Sequence, residues 1–579
     1  MSDINEKIIL EIISRKPLLK AEFDNARRIA CNKLKINQPP NHRLLSAYQN
    51  LIKKKRIKSN KPLEKLMRKA DIRTLSGVAI VTSLTKPFPC PGKCVYCPSE
   101  AKMPKSYLRN EPAAARAFGL NFDPYEQMRR RIEMLEQNGH PTDKIEFIVK
   151  GGSWNAYSLA YQYWFVLESF KACNKMKNKK QDTRYKQYSI SNIQYLKNTL
   201  ENEQERNETT RHRIIGLTLE TRPDLITPKT IYHMRQMGCT RVELGLQAPD
   251  DKILKLTKRG HTVQQFKDAM YLLRQAGFKV DLHFMPNLPG TTPNHDVEMY
   301  KQIFSDPGLK PDMVKIYPCS VVKSAELYNW YKKGKYKPYS DKKLLEALIQ
   351  MKVATPRYCR ISRLIRDIPA TDIQAGNKET NLRQVLQAEM AKRGLKCECL
   401  RCREVGHITT SPHHYITTSP KLFVEKYETT GGMEYFLSYE DKKRQVVFAF
   451  CRLRLSVIAS HSEAIQSSTV NESGLLRRLR TPRNDSTYSL IPKIANLAFI
   501  RELHTYGQLV ALKHKNIKTL KHGEIQHTGL GKKLVQEAEK IAKKNKFKKL
   551  AVIAGVGVRS YYRKLGYRKE GTYMLKIIN

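Results

Sequence analysis

Apolar residues recur at helical spacing early in the chain. Ile8, Ile9, Ile12 and Ile13 mark one face and Leu44, Leu45, Tyr48 and Leu51 another, with a break at Pro39-Pro40, so residues 1–75 read as a small helical domain. From Val78 the period changes. β-branched runs at 78–81, 145–150, 214–219, 241–246, 280–284 and 313–317 alternate with loops and helix-length segments. Strands alternating with helices imply parallel pairing through right-handed crossovers, hence an α/β fold with a full or partial parallel barrel over 76–370. Its chemistry belongs at the C-terminal strand ends.

A polar, lysine-rich stretch at 174–211 lacks strong periodicity and reads as an insertion between barrel units. A short linker, 371–422, follows the barrel. From 423 to 579 the pattern is α+β, with strands at 443–450, 498–504 and 549–554 and a helix at 533–544. The stretch 456–493, rich in Ser, Thr, Asn and Arg without a core face, reads as a loop inserted in that last domain.

Charge narrows the class. Among 579 residues, 105 Lys and Arg face 54 Asp and Glu, a formal net charge of +51, which favours a polyanion as partner. Nine basic residues and one acid lie between Leu51 and Ala70, among them Lys53, Lys54, Lys55, Arg56 and Lys58. Arg357, Arg360, Arg363 and Arg366 form a second strip that either contacts phosphate or is salt-bridged. No apolar run approaches the ~18 residues of a spanning helix and no signal segment is evident, so the expectation is a soluble cytoplasmic protein without membrane contact. Of twelve cysteines, six fall in two tight trios, which in a reducing compartment argues for metal ligation.

The first trio is Cys90, Cys94 and Cys97, spaced by three and two residues. Three thiolates are one ligand short of a cubane iron-sulfur cluster and leave one iron open to a small molecule. A zinc knuckle is the alternative, without a fourth Cys or His close by. Gly151 and Gly152 would let a ligand approach backbone, and Glu220, Gln247, His283 and Lys315 fall near or just beyond strand ends, where satisfied polar groups are also common. The second trio, Cys397, Cys399 and Cys402, suits a tetrahedral zinc with one more ligand. Cys319 is the first choice, with Cys359 and His407 as rivals. Near the end, Gln526, Gly529, Gly531 and Lys532 open a helix whose N-H groups suit a pyrophosphate.

The first trio, with Tyr96 before its last cysteine, resembles the radical S-adenosylmethionine (SAM) superfamily. The order of pyrophosphate loop, helix, strand and the segment Tyr561-Tyr562 to Gly566-Tyr567 resembles the GNAT acetyltransferase fold, which binds acetyl-CoA. Together with Glu220-Thr221-Arg222-Pro223-Asp224, Lys258-Arg259-Gly260-His261-Thr262, Arg501-Glu502-Leu503-His504 and Gly555-Val556-Gly557-Val558-Arg559, the chain resembles the catalytic subunit of Elongator in its stand-alone prokaryotic form. Lys258 stands where relatives often carry Asn.

That resemblance implies a tRNA-modifying enzyme in which a 5′-deoxyadenosyl radical from SAM activates the acetyl methyl of acetyl-CoA. The product is 5-carboxymethyluridine at the wobble position. It assigns Cys90, Cys94 and Cys97 to a 4Fe-4S cluster, Gly151, Gly152, Glu220 and Gln247 to SAM, and Gln526, Gly529, Gly531 and Lys532 to coenzyme A. Tyr561 and Tyr562 are assigned to the acetyl group, and Lys150 and Lys315 to orienting uridine or thioester. The implied partner is tRNA, a homodimer stays open, and no obligate subunit is called for. A protein lysine acetyltransferase with a vestigial barrel is the alternative function. A non-catalytic RNA-binding scaffold would leave both cofactor motifs unexplained.

Overall fold

The computed structural model describes residues 2–68, 74, 76–175, 192–405, 420–456, 497–506 and 529–579. Gln526, His407 and all but the first residue of the predicted 456–493 insertion lie outside those residues.

Four helices, α1 (Ser2–Ser14), α2 (Lys20–Lys33), α3 (Asn41–Lys53) and α4 (Lys61–Met67), bury Ile8, Ile9, Ile12, Phe23, Leu44 and Tyr48 in their own core. Ile13 packs at its edge. α4 begins where Asn60 accepts from the Leu63 N-H at 3.1 Å, which satisfies one free donor of the first turn. Lys53, Lys55 and Lys58 are exposed, whereas Lys54 and Arg56 turn to the buried Glu6 at 2.8 and 3.8 Å.

The barrel is a seven-stranded sheet, parallel throughout: β1 (Ala79–Leu84), β2 (Lys144–Lys150), β3 (Arg213–Thr221), β4 (Cys239–Gln247), β5 (Lys279–Phe284), β6 (Met313–Ile316) and, beyond a short pair made by β7 (Val321–Val322) and β9 (Ile373–Ala375), β8 (Arg360–Arg363). β1 and β8 are its two edges, so the barrel is open on one side. The arginine-rich segment therefore supplies the last strand, which sequence periodicity did not reveal. Part of the supposed insertion is likewise the helix Ile193–Asn207, packed on the helix Leu159–Asn174 through Leu196 and Leu200.

The C-terminal sheet runs β10 (Lys421–Thr429), β11 (Gly432–Glu440), β12 (Val447–Ser456), β13 (Ala498–Thr505), β14 (Lys549–Val552), β16 (Tyr573–Ile577), β15 (Arg568–Glu570). All its pairs are antiparallel except β13 with β14, which pair only from Ala498 to Ile500. Beyond that point the ladder between the two strands ends.

This sheet seats against the N-terminal ends of the barrel strands, and close backbone approach joins the two. A Cβ on Gly555 would stand 1.9 Å from the Ile215 carbonyl oxygen in β3, although the Gly555 φ of −66° suits any residue. Gly555→Ala is expected to push the two bodies apart and to cost about 1–3 kcal/mol, read as a lower midpoint in chemical denaturation.

Candidate active site

Beyond the C-terminal end of β1 the cysteine loop crosses the barrel mouth, held by Val95 N-H to the Thr257 carbonyl at 3.1 Å and Leu327 N-H to the Val95 carbonyl at 2.8 Å. Cys90 Sγ lies 3.7 Å from Ser153 Oγ, next to Gly151-Gly152. Both glycines have positive φ, and a Cβ on Gly151 would meet Thr85 Oγ1 at 2.1 Å, so only glycine fits there.

Two guanidinium groups face Cys94. Arg259 Nη1 donates to its Sγ at 3.5 Å, while Arg222 is held by Asp224 at 2.9 Å with its Nη1 buried and without a hydrogen-bond partner. Burial raises the Cys94 thiol, but the charge and hydrogen bond of Arg259 bring it below its ordinary value. Cys97, half-buried beside Cys94, is pushed up to about 11 by burial and the neighbouring thiolate. Gln247, at a φ of +75°, buries Oε1 without a partner, and its side chain lines the same mouth. Three thiols, two arginines and orphaned polar atoms in one place fit an anionic cluster and a zwitterionic ligand.

Below that mouth the barrel lumen is ionic. Glu243, which the sequence reading passed over, sits on β4 with its side chain 1% exposed and gathers three partners. These are Lys150 Nζ at 2.9 Å, His283 Nε2 at 3.3 Å and Lys315 Nζ. Its signal was a lone acid inside a strand, on the same face as Arg241. Glu220 lies 3.4 Å from Lys150 and accepts from Tyr107 Oη at 3.0 Å. Burial opposes the charge on Lys150, yet Glu220 and Glu243 hold its pKa well above the usual lysine range. Lys315 differs. Burial and the charge of Lys150 outweigh Glu243 and push it down to about 8.

A single cavity of about 940 Å³ joins these lumen residues to the far end of the barrel, where Glu502, His504, Val552 and Tyr562 line it. Tyr562 is thus buried at that end of the cavity, while Tyr561 is half-exposed and its hydroxyl lies 2.9 Å from where a Gly531 Cβ would be. Gly529, at a φ of +76°, opens the helix Leu530–Lys544, whose first turn carries no acid. Lys532 is exposed in that first turn.

The sulfurs of Cys397, Cys399 and Cys402 lie within 4.8 Å of one another, close to the roughly 3.8 Å that three Zn–S bonds of about 2.3 Å at tetrahedral angles require. The sulfurs of Cys90, Cys94 and Cys97 form no such close group. Cys319 is not part of the trio. It follows the C-terminal end of β6, its N-H bonded to the Pro286 carbonyl at 2.9 Å, whereas the trio sits at the N-terminal end of the adjacent β8, where the Leu400 N-H meets the Cys359 carbonyl at 2.9 Å. The length of the sheet separates them. Burial pushes the Cys319 thiol up to about 12, as for an inert packed cysteine.

The predicted arginine strip resolves as ion pairs: Arg357 with Glu398, Arg360 with Glu404 at 2.6 Å, Arg363 with Asp367 at 2.7 Å and Arg366 with Glu111 at 2.9 Å. No helix among the described residues is long and apolar enough to cross a membrane.

Residues 89–303 match the model of the radical SAM superfamily and 311–392 that of the Radical_SAM C-terminal domain. The tRNA uridine(34) acetyltransferase of Methanocaldococcus infernus is 39% identical over 591 residues, covering 100% of this chain and 99% of that protein. Elongator complex protein 3 of Bos taurus is 34% identical over 521 residues, 88% of this chain and 85% of that one. The solved structure of the M. infernus Elongator protein lacking residues 1–46 superposes with a TM-score of 0.68 at 38% identity, over 87% of this chain and 100% of that one. With relatives above 30% identity along nearly their whole length, a matching solved structure and the parallel half-barrel bearing its three-cysteine loop, this chain belongs to the Elongator complex protein 3 family.

Proposed function

We propose that this protein is a tRNA-modifying enzyme that joins radical SAM chemistry to acetyl-CoA and places a carboxymethyl group on carbon 5 of the wobble uridine. The observation that carries this reading is the one cavity that runs from the cysteine-loop end of the barrel to His504, Val552 and Tyr562 of the C-terminal sheet domain. Cys90, Cys94 and Cys97 would hold a 4Fe-4S cluster, with Arg222 and Arg259 balancing its negative charge. When bound, the cluster and SAM supply the radical that activates the acetyl methyl.

The other roles belong to the chain itself. Gly151, Gly152 and Gln247 cradle SAM, and Glu220 borders that site while orienting Lys150. Gly529, Gly531 and Lys532 take the pyrophosphate of coenzyme A, and Tyr561 and Tyr562 shape the pocket for its acetyl end. Lys150 stays charged and orients an oxygen of uridine or thioester, and Lys315 adds a second positive charge that depends on pH. Residues 1–75 serve as the basic RNA-binding domain, 76–370 as the radical SAM barrel and 423–579 as the acetyl-CoA domain. Between them, 371–422 carries a structural zinc on Cys397, Cys399 and Cys402.

The decisive experiment is anaerobic reconstitution with iron, sulfide, SAM, reductant, acetyl-CoA and unmodified tRNA, read by mass spectrometry. Formation of 5-carboxymethyluridine with 5′-deoxyadenosine is expected. Neither product, with acetylated lysines on a test protein, would establish a lysine acetyltransferase instead.

Lys315 sets the pH dependence. It is protonated below about 8 and loses its charge above, so modification is expected to decline from pH 8 to 9. Lys315→Arg, charged throughout that range, is expected to lack the decline. A parent profile that stays level to pH 9 would remove Lys315 from this role.

A further inference from the structure

Four arginines near β8 each have a carboxylate, which makes two others conspicuous. Arg383 donates through Nη2 to the Ile361 carbonyl at 3.1 Å, and this pins the guanidinium, but its Nη1 is buried without a partner. Arg401 forms no ion pair or hydrogen bond among the described residues. The carboxylate beside it, Glu404, is already held by Arg360 at 2.6 and 3.1 Å. Glu379, exposed on the same stretch, pairs with neither.

Both arginines line the cavity on the β8 side, the open edge of the half-barrel, with the exposed Lys378 nearby. Guanidinium groups packed together, with the one neighbouring carboxylate already held by Arg360, are an arrangement that an external anion stabilises.

We propose that Arg383 and Arg401 form an oxyanion site that takes a backbone phosphodiester of the RNA substrate at the side opening of the barrel. The proposal rests on the tRNA-modifying reading. Two guanidinium forks match a phosphate's oxygens, and the +51 formal charge suits RNA. The phosphates of coenzyme A have their own helix end at Gly529, in the other sheet.

The test needs neither cluster nor SAM: a labelled anticodon stem-loop RNA is titrated into the full chain at several salt concentrations. Arg383→Ala and Arg401→Ala are each expected to weaken binding roughly tenfold and to lower the salt slope by about one, while Arg401→Lys keeps the slope. Because neither arginine is ion-paired among the described residues, the thermal midpoint of Arg401→Ala is expected to stay at or above that of the parent. Unchanged affinity and slope in both Ala variants would overturn this site alone. Lost affinity for coenzyme A in place of RNA would assign the site to the coenzyme, and a lower thermal midpoint for Arg401→Ala would reveal an internal partner. Failure of the parent to bind the stem-loop would overturn the tRNA reading along with it.

Discussion

Cys94→Ser is expected to bring 5′-deoxyadenosine formation below detection while leaving RNA affinity unchanged. Cys94 is the most buried of the loop thiols at 7% exposed, and Arg259 and Arg222 both address it. A serine hydroxyl stays protonated where this thiol is driven toward thiolate, so one of three cluster ligands is lost and no neighbour replaces it. The basic helices of residues 1–75 and the open barrel edge are untouched. Iron content after anaerobic reconstitution, 5′-deoxyadenosine yield and stem-loop anisotropy measure the three parts separately. A variant that keeps its iron and still cleaves SAM would sink the assignment of the loop.

Asp312→Asn is expected to destabilise the protein by about 3–5 kcal/mol, since removing one partner of a buried charge cluster leaves the others uncompensated. Asp312 precedes β6 and is fully buried, with Arg501 Nη1 donating to it at 2.9 Å and Arg274 and Arg452 within 3.7 and 3.9 Å. Glu434 answers the same arginines from β11, at 2.9 Å to Arg274 and 3.0 Å to Arg501. The cluster thus ties the barrel to the C-terminal sheet.

Burial alone would raise the Asp312 carboxyl, but Arg501 and then Arg274 hold it far below its usual range. A carboxylate with a depressed folded pKa stabilises fully above its unfolded value of about 3.9 and loses that contribution as pH falls toward the folded one. The difference between parent and Asp312→Asn is therefore expected to be constant from pH 5 to 8 and to shrink in acid. A denaturation midpoint that moves by less than the equivalent of about 1 kcal/mol would show the arginines to be satisfied without Asp312.

Much of the architecture was legible beforehand. Six of the seven barrel strands follow from β-branched runs, because the face that packs under the helices is buried and apolar. The seventh, Arg360–Arg363, was hidden: its arginines are neutralised by Glu404 and Asp367, acids 44 and 4 residues away that periodicity cannot pair with them. The helix Ile193–Asn207 was hidden for a related reason. Only Leu196 and Leu200 are apolar and buried in it, and its other buried positions are Glu203, Gln204 and Asn207.

At the site the division is similar. Lys150, Glu220 and Lys315 were placed by their position at or near strand ends, but Glu243 was not, although it holds both lysines. Cys319 was joined to the second trio on residue type alone, and the sheet puts it at the opposite end from Cys399.

The sequence by itself determined what is local: the order of helices and strands, the spacing of both cysteine trios, the glycines where backbone must turn or approach a ligand, and the excess of positive charge. Each follows from residue type, a period or a short interval along the chain. Only the tertiary structure decided which charges face one another. Parallel strands bring together residues tens of positions apart through a register that no local pattern encodes, so three strands meet at Glu243 and two sheets meet at Asp312, while Arg383 and Arg401 are left facing an opening without a carboxylate of their own.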